Sequence, residues 1–151
     1  MPWPEARCGI RKLIEHYPGM AYRCTNNAEY TIEFVSNGCA SITGYNPEEL
    51  IGSRTISFYT IIDPEYKEYI QAEWDAAVRD GRSVQLEYPI RTADGSKKWV
   101  WEQGLPVYDR TGEIIGFEGF IADISERKYM ESELRMAIRE AEIARQEAEA
   151  A

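Results

Sequence analysis

Few side chains in this 151-residue chain could carry chemistry, and their spacing does little to help them. The single histidine, His16, stands beside Tyr17 and reads as a surface or cap residue. The three cysteines, Cys8, Cys24 and Cys39, are odd in number and widely spaced, with no Cys-x-x-Cys pair. A zinc site needs clustered Cys and His ligands, so these read as isolated thiols of a reducing compartment. Four carboxylates, Glu33, Glu87, Glu102 and Glu118, fall in β-rich segments. Paired carboxylates can do acid–base work, but these alternate with apolar residues, which places most of them on solvated strand faces. No Ser–His–Asp set, phosphate-binding Walker loop or glycine-rich dinucleotide fingerprint is present. The chain reads as a non-enzyme without metal. What remains are aromatic and small residues in strands, suited to binding. Trp99, Trp101 and Gln103 share one strand face, Phe117, Gly119 and Ile121 share another, and Tyr88 alternates with Glu87 and Pro89.

The size is that of one domain. A net charge of −9 argues against nucleic-acid binding, which needs a concentrated basic surface. No apolar run approaches the roughly 20 residues needed to cross a bilayer. The first eleven residues lack the apolar stretch of a cleavable leader. A cytoplasmic location is expected.

The elements that must position these residues follow from texture. Residues 1–9 are aperiodic, with proline and tryptophan, and read as an N-terminal arm. Tyr30 to Ser36 is β-rich and reads as a strand. Cys39 to Thr43 fits one helical turn closed by Gly44. Asn46-Pro47-Glu48-Glu49 is a helix start, with Asn46 as cap, Pro47 in first position and Glu49 reaching back. Asp63-Pro64-Glu65 repeats that start and opens a longer helix, with Ile70, Trp74, Ala77 and Val78 at helical spacing, ended by Asp80-Gly81. Ser83–Thr92, Lys97–Val107 and Ile114–Ile124 read as a three-strand meander, with turns at Ala93–Ser96 and Asp109–Gly112. Glycines 116 and 119 inside the last strand mark a bulge or a close approach by another group. Sequential hairpins with segregated helices make an α+β domain.

Several ordered fragments resemble the PAS family: Phe34 to Cys39, Ile42 to Gly52, Ile61 to Glu65, Arg91 to Gly95 with Trp99 to Glu102, and Gly116 to Lys128. The resemblance covers residues 10–128, and residues 10–125 are read as the sensory domain. It implies a five-stranded antiparallel sheet with helices on one face and an early strand near Gly19 to Cys24. It also implies a pocket between the sheet and the helices, facing Tyr88, Trp99, Trp101, Gln103, Phe117, Gly119 and Ile121. Space left by the two interior glycines could take a flat ligand; the alternative is a core filled by the aromatics. Members sense a ligand, light, redox state or a partner. Photochemical flavin-adduct sensing needs a cysteine that Gly52 to Ile56 lacks. Haem is disfavoured, because the long helix carries no histidine. A small organic ligand or a non-covalent flavin stays open.

Residues 126–151 have neither glycine nor proline and read as one signalling helix of about 26 residues, roughly 39 Å long. Met130, Leu134, Ala137, Ala141, Ala144 and Ala148 recur at alternating spacings of four and three, a heptad seam. The reading is homodimerisation through this seam; the alternative is a single solvated helix. Its open run at Ala151 suggests truncation. By resemblance Asp123, Ile124 and Ser125 form the signal junction, with Asp123 anchored to the Trp99–Trp101 hairpin. The implied partner is a covalently attached effector, a sensor histidine kinase of a two-component system in the first reading. A diguanylate cyclase, or a flavin-binding redox sensor, is the alternative.

Overall fold

Helix boundaries fall where local chemistry ends a ladder of hydrogen bonds. The computed structural model describes residues 18–151, so the arm at 1–9, Cys8 and His16 lie outside the described residues. Strands β1 (Met20–Thr25) and β2 (Ile32–Val35) are followed by the short helices α1 (Cys39–Thr43) and α2 (Pro47–Leu50), a 3-10 turn at Ile51–Ser53, and α3 (Phe58–Ile61). The long helix α4 (Pro64–Asp80) leads to β3 (Val84–Arg91), β4 (Lys97–Tyr108) and β5 (Ile114–Asp123), and α5 (Ser125–Ala150) closes the chain. At α2 the Asn46 N–H donates to Glu49 Oε2 at 2.9 Å. At α4 Asp63 Oδ1 accepts from the Glu65 N–H at 3.0 Å. Each bond satisfies an otherwise orphaned donor near a helix start. Gly81, with φ of 65°, closes α4 in a conformation that side chains disfavour.

The sheet order is β2-β1-β5-β4-β3, and every neighbouring pair is antiparallel. The first and last strands therefore sit side by side in the middle, and the helices cross one face on the way from β2 to β3. Alternation decides which residues meet them. Met20, Tyr22 and Cys24 of β1, Leu86, Tyr88 and Ile90 of β3, Val100 and Glu102 of β4, and Phe117 and Ile121 of β5 are buried there. Ile42, Leu50, Ile61, Ile70, Trp74 and Ala77 cover them from the helices. Each large apolar side chain so buried stabilises the fold by roughly 1.5–3 kcal/mol.

The strand expected from Tyr30 begins instead at Ile32. Tyr30 has φ of 50°, inside a turn where the Asn27 side-chain oxygen accepts from the Thr31 N–H at 3.0 Å. A tyrosine in that conformation is uncommon.

Beyond its first turns α5 stands clear of the other described residues, and no residue of Ser125–Ala150 is buried. Met130 and Leu134 of the heptad seam are 60% and 62% exposed. Tyr129, Met136 and Ile143, seven residues apart, form a second exposed apolar line beside the seam.

Candidate functional site

Glu102 is the one buried acid among the described residues, and it faces the helices. On β4 it has Leu86 of β3 and Ile121 of β5 as register partners. The Tyr88 hydroxyl, from β3, donates to Glu102 Oε1 at 2.5 Å, and the Tyr22 hydroxyl donates to Oε2. Tyr22 belongs to β1, so its ring must pass over β5 to reach β4. It can do so because its register partner is Gly119. A Cβ on Gly119 would stand 2.6 Å from the Tyr22 hydroxyl oxygen, and one on Gly104 would stand 2.7 Å from it. Gly116 lies against the Cys24 carbonyl in the same way. The interior glycines let strands and a tyrosine approach closely; the space foreseen there for a flat ligand is already filled.

Burial pushes the Glu102 carboxyl above its ordinary range, offset in part by the two tyrosine hydrogen bonds. Burial, and then the Glu102 charge, push both tyrosine hydroxyls well above 10. The Cys24 thiol, on the same face, is pushed up to about 12, chiefly by burial. None of the ion pairs among the described residues includes Glu102.

A cavity of about 40 Å³ opens beside this carboxylate, walled by Tyr22, Tyr30, Tyr59, Trp74, Tyr88 and Ile70. Tyr30 and Tyr59 are half-buried and form its rim, 6.0 Å apart between ring centroids. Pockets for drug-sized ligands run to roughly 300–1,000 Å³, so a three-ring flavin would require the rim rings to swing out. Among the described residues no group of His, Cys, Asp and Glu is placed to hold a metal ion.

Four residues expected at the pocket, Tyr88, Phe117, Gly119 and Ile121, do share this inner face; Tyr88 and Ile121 line the cavity. Phe117 packs behind it, 4.5 Å from the Trp74 ring centroid and 5.6 Å from that of Tyr30. Trp99, Trp101 and Gln103 are the correction. Since Val100, Glu102 and Gly104 are buried, period-2 alternation turns those three to the opposite face. For Glu102 the solvated-face expectation is overturned for the same reason, whereas Glu33 and Glu118 are exposed.

Trp99 has a different task. Its backbone N–H donates to Ser125 Oγ and its carbonyl accepts from the Ile124 N–H, both at 2.9 Å. The Lys128 ammonium lies 4.8 Å above its ring. Lys128 and Arg127 both pair with Glu87 of β3, which holds the Glu87 carboxyl below its usual range. Asp123 Oδ1 accepts from the Ser125 N–H at 2.9 Å, capping α5, while Lys98 stands 3.7 Å from Oδ2. Asp123 thus meets the β3–β4 hairpin as the register partner of Val100 and through its carboxylate at Lys98, while Ile124 and Ser125 add the bonds to Trp99.

The profile of the PAS fold matches residues 32–121, more than half of the sequence. The chain belongs to the PAS fold family. This PAS domain is 28% identical over 131 residues to the bacterioopsin transcriptional activator of Halobacterium salinarum, covering 87% of this chain and 19% of that one. It spans less than a fifth of the length of the curated relatives it matches. Among solved structures, a sensory box histidine kinase/response regulator from Burkholderia thailandensis superposes with a TM-score of 0.70 at 21% identity, covering 88% of this chain and 97% of that one. The N-terminal domain of a diguanylate cyclase with PAS/PAC sensor from Marinobacter aquaeolei does so with a TM-score of 0.61 at 18% identity, covering 73% and 98%. These likenesses show the fold. No helix among the described residues is long and apolar enough to cross a membrane.

Proposed function

We propose that this PAS domain is the sensory and dimerisation module of a larger cytoplasmic signalling protein, the covalent effector being a sensor histidine kinase. In this reading residues 10–125 sense and residues 126–151 transmit. Occupancy of the Glu102 cavity shifts β4 and β5, and the Trp99–Ser125 bonds pass that shift to α5. A helix with an unburied seam, tied at one end to the receptor sheet, is the observation that supports the reading best. Two copies would bury Met130 and Leu134 against each other, with alanines along the rest of the seam. Alanine buries little area, so such a pair is marginal and shifts with a few kcal/mol. The effector assignment rests on the Ala/Glu/Arg run from Ala137, which resembles the lead-in to a kinase dimerisation helix.

Sedimentation equilibrium tests the pairing. The chain is expected to run as a dimer and Leu134→Glu as a monomer, while Ile143→Glu, on the second apolar line, leaves the dimer intact. A monomeric parent chain would defeat the reading. ATP-dependent autophosphorylation of the full-length protein tests the effector; its absence, with cyclase activity in its place, would replace the kinase with the alternative.

A further inference from the structure

We propose that the cavity beside Glu102 receives a small organic ammonium ion, of methylammonium size, which supplies the positive charge that the buried carboxylate lacks. The inference rests on the sensory reading of the same cavity and names its ligand class. Glu102 is 6% exposed and, among the described residues, is engaged only by two neutral hydroxyl donors. A carboxylate has about four lone-pair sites, so two tyrosines leave room for further N–H donors. A buried carboxylate without a counter-charge is costly, and a cation is the ligand that removes this cost.

The walls favour the same ligand. Tyr22, Tyr30, Tyr59, Trp74 and Tyr88 surround the space, and aromatic faces attract ammonium groups within about 6 Å of the ring centre. Tyr59 already does so at the rim, with Lys67 Nζ 4.4 Å from its centroid. Among the described residues no charged donor reaches the carboxylate that could recognise an anion instead. A volume of about 40 Å³ admits one to a few waters, or an ammonium group bearing a methyl, but not a large quaternary amine.

Cation and proton compete for one carboxylate. A protonated Glu102 that takes up an alkylammonium ion releases its proton to solvent, and net charge is conserved. The titratable groups facing Glu102 are Tyr22 and Cys24 from β1 and Tyr88 from β3; α4 presents only Ile70 and Trp74 to the cavity, and β5 presents Ile121. Asp75 and Lys67 stay at the rim, beside Tyr30 and Tyr59. While Glu102 holds its proton, apparent affinity should rise about tenfold per pH unit.

The test titrates the whole chain with methylammonium chloride, against potassium chloride at equal ionic strength and against methanol as the neutral analogue. The melting temperature and the Trp74 indole NMR resonance are followed. A saturable rise and a Trp74 shift specific to methylammonium, stronger at mildly alkaline than at mildly acid pH, are expected. Both should vanish in Glu102→Gln. Tyr59→Leu, which leaves the carboxylate in place, should weaken binding several-fold and guards against a misfolded Gln variant. An equal response to methanol, an undiminished response in folded Glu102→Gln, or no saturable response overturns the proposal. Binding of a neutral probe alone sinks the ammonium assignment but leaves the sensory reading. Methylammonium binding that leaves dimerisation and α5 unchanged does the reverse.

Discussion

Glu102 and Gly119 show how much one residue can decide. A methyl group at 119 would meet the Gln103 carbonyl at 2.5 Å as well as the Tyr22 hydroxyl at 2.6 Å, and the first of these is backbone that cannot swing away. Gly119→Ala should therefore destabilise the domain by about 1–3 kcal/mol, the usual cost of overpacking. Gly104→Ala, which meets the Trp74 and Tyr22 side chains, should cost less, because those can adjust. Urea melts of both variants check the order, and equal losses would contradict it. For Glu102 the consequence is a pH dependence. Its folded-state carboxyl is raised above 4.5, so the native protein keeps a proton that the unfolded chain has lost. Stability relative to Glu102→Gln should be greatest below 4.5 and fall as pH rises through the folded value. A difference that stays flat from acid to alkaline pH would show that the carboxyl is not perturbed. The family resemblance sets the face of Trp99, Trp101 and Gln103 toward the pocket, which leaves Glu102 on the solvated side. The hairpin held the contrary signal: Leu86, Tyr88 and Ile90 form an apolar line, and pairing outward from the Ala93–Ser96 turn sets Glu102 opposite Leu86.

At the scale of elements, caps and turns were legible because their chemistry is local. Asn46-Pro47 and Asp63-Pro64 start helices, and the β3–β4 and β4–β5 turns fall where glycine and aspartate place them. β1 was not legible from propensity, since Met20–Thr25 is six residues long and includes alanine and arginine; only its neighbourhood in the family pattern placed it. The end of β2 nearest Tyr30 was missed because a tyrosine carries no local sign that its backbone will turn left-handed. Ser125 gives the element-scale prediction. Ser125→Ala removes the acceptor for the Trp99 N–H at about 1 kcal/mol, the net worth of one hydrogen bond. The domain should stay folded while the first turns of α5 exchange amide hydrogens faster and β1 and β5 keep their protection. Unchanged exchange in Glu126–Glu133 would mean that the junction does not depend on this bond.

Over the whole molecule, the ordered set of motifs carried the fold that no single fragment could, because order and spacing restrict topology more than composition does. The cavity was the part composition could not show, since it is assembled from all five strands together with α3 and α4, which are distant in sequence. The sheet order carries a mechanical corollary. Met20, where β1 begins, pairs with Ile121, near where β5 ends, so the chain enters and leaves the sheet at the same end of one antiparallel pair. Tension applied between those two connections peels the rungs apart singly, as a zip opens, instead of loading all of them together in shear. A domain strung between neighbours this way yields to modest pulling whatever its resistance to heat, and the bonds that break first lie beside the Trp99–Ser125 clasp.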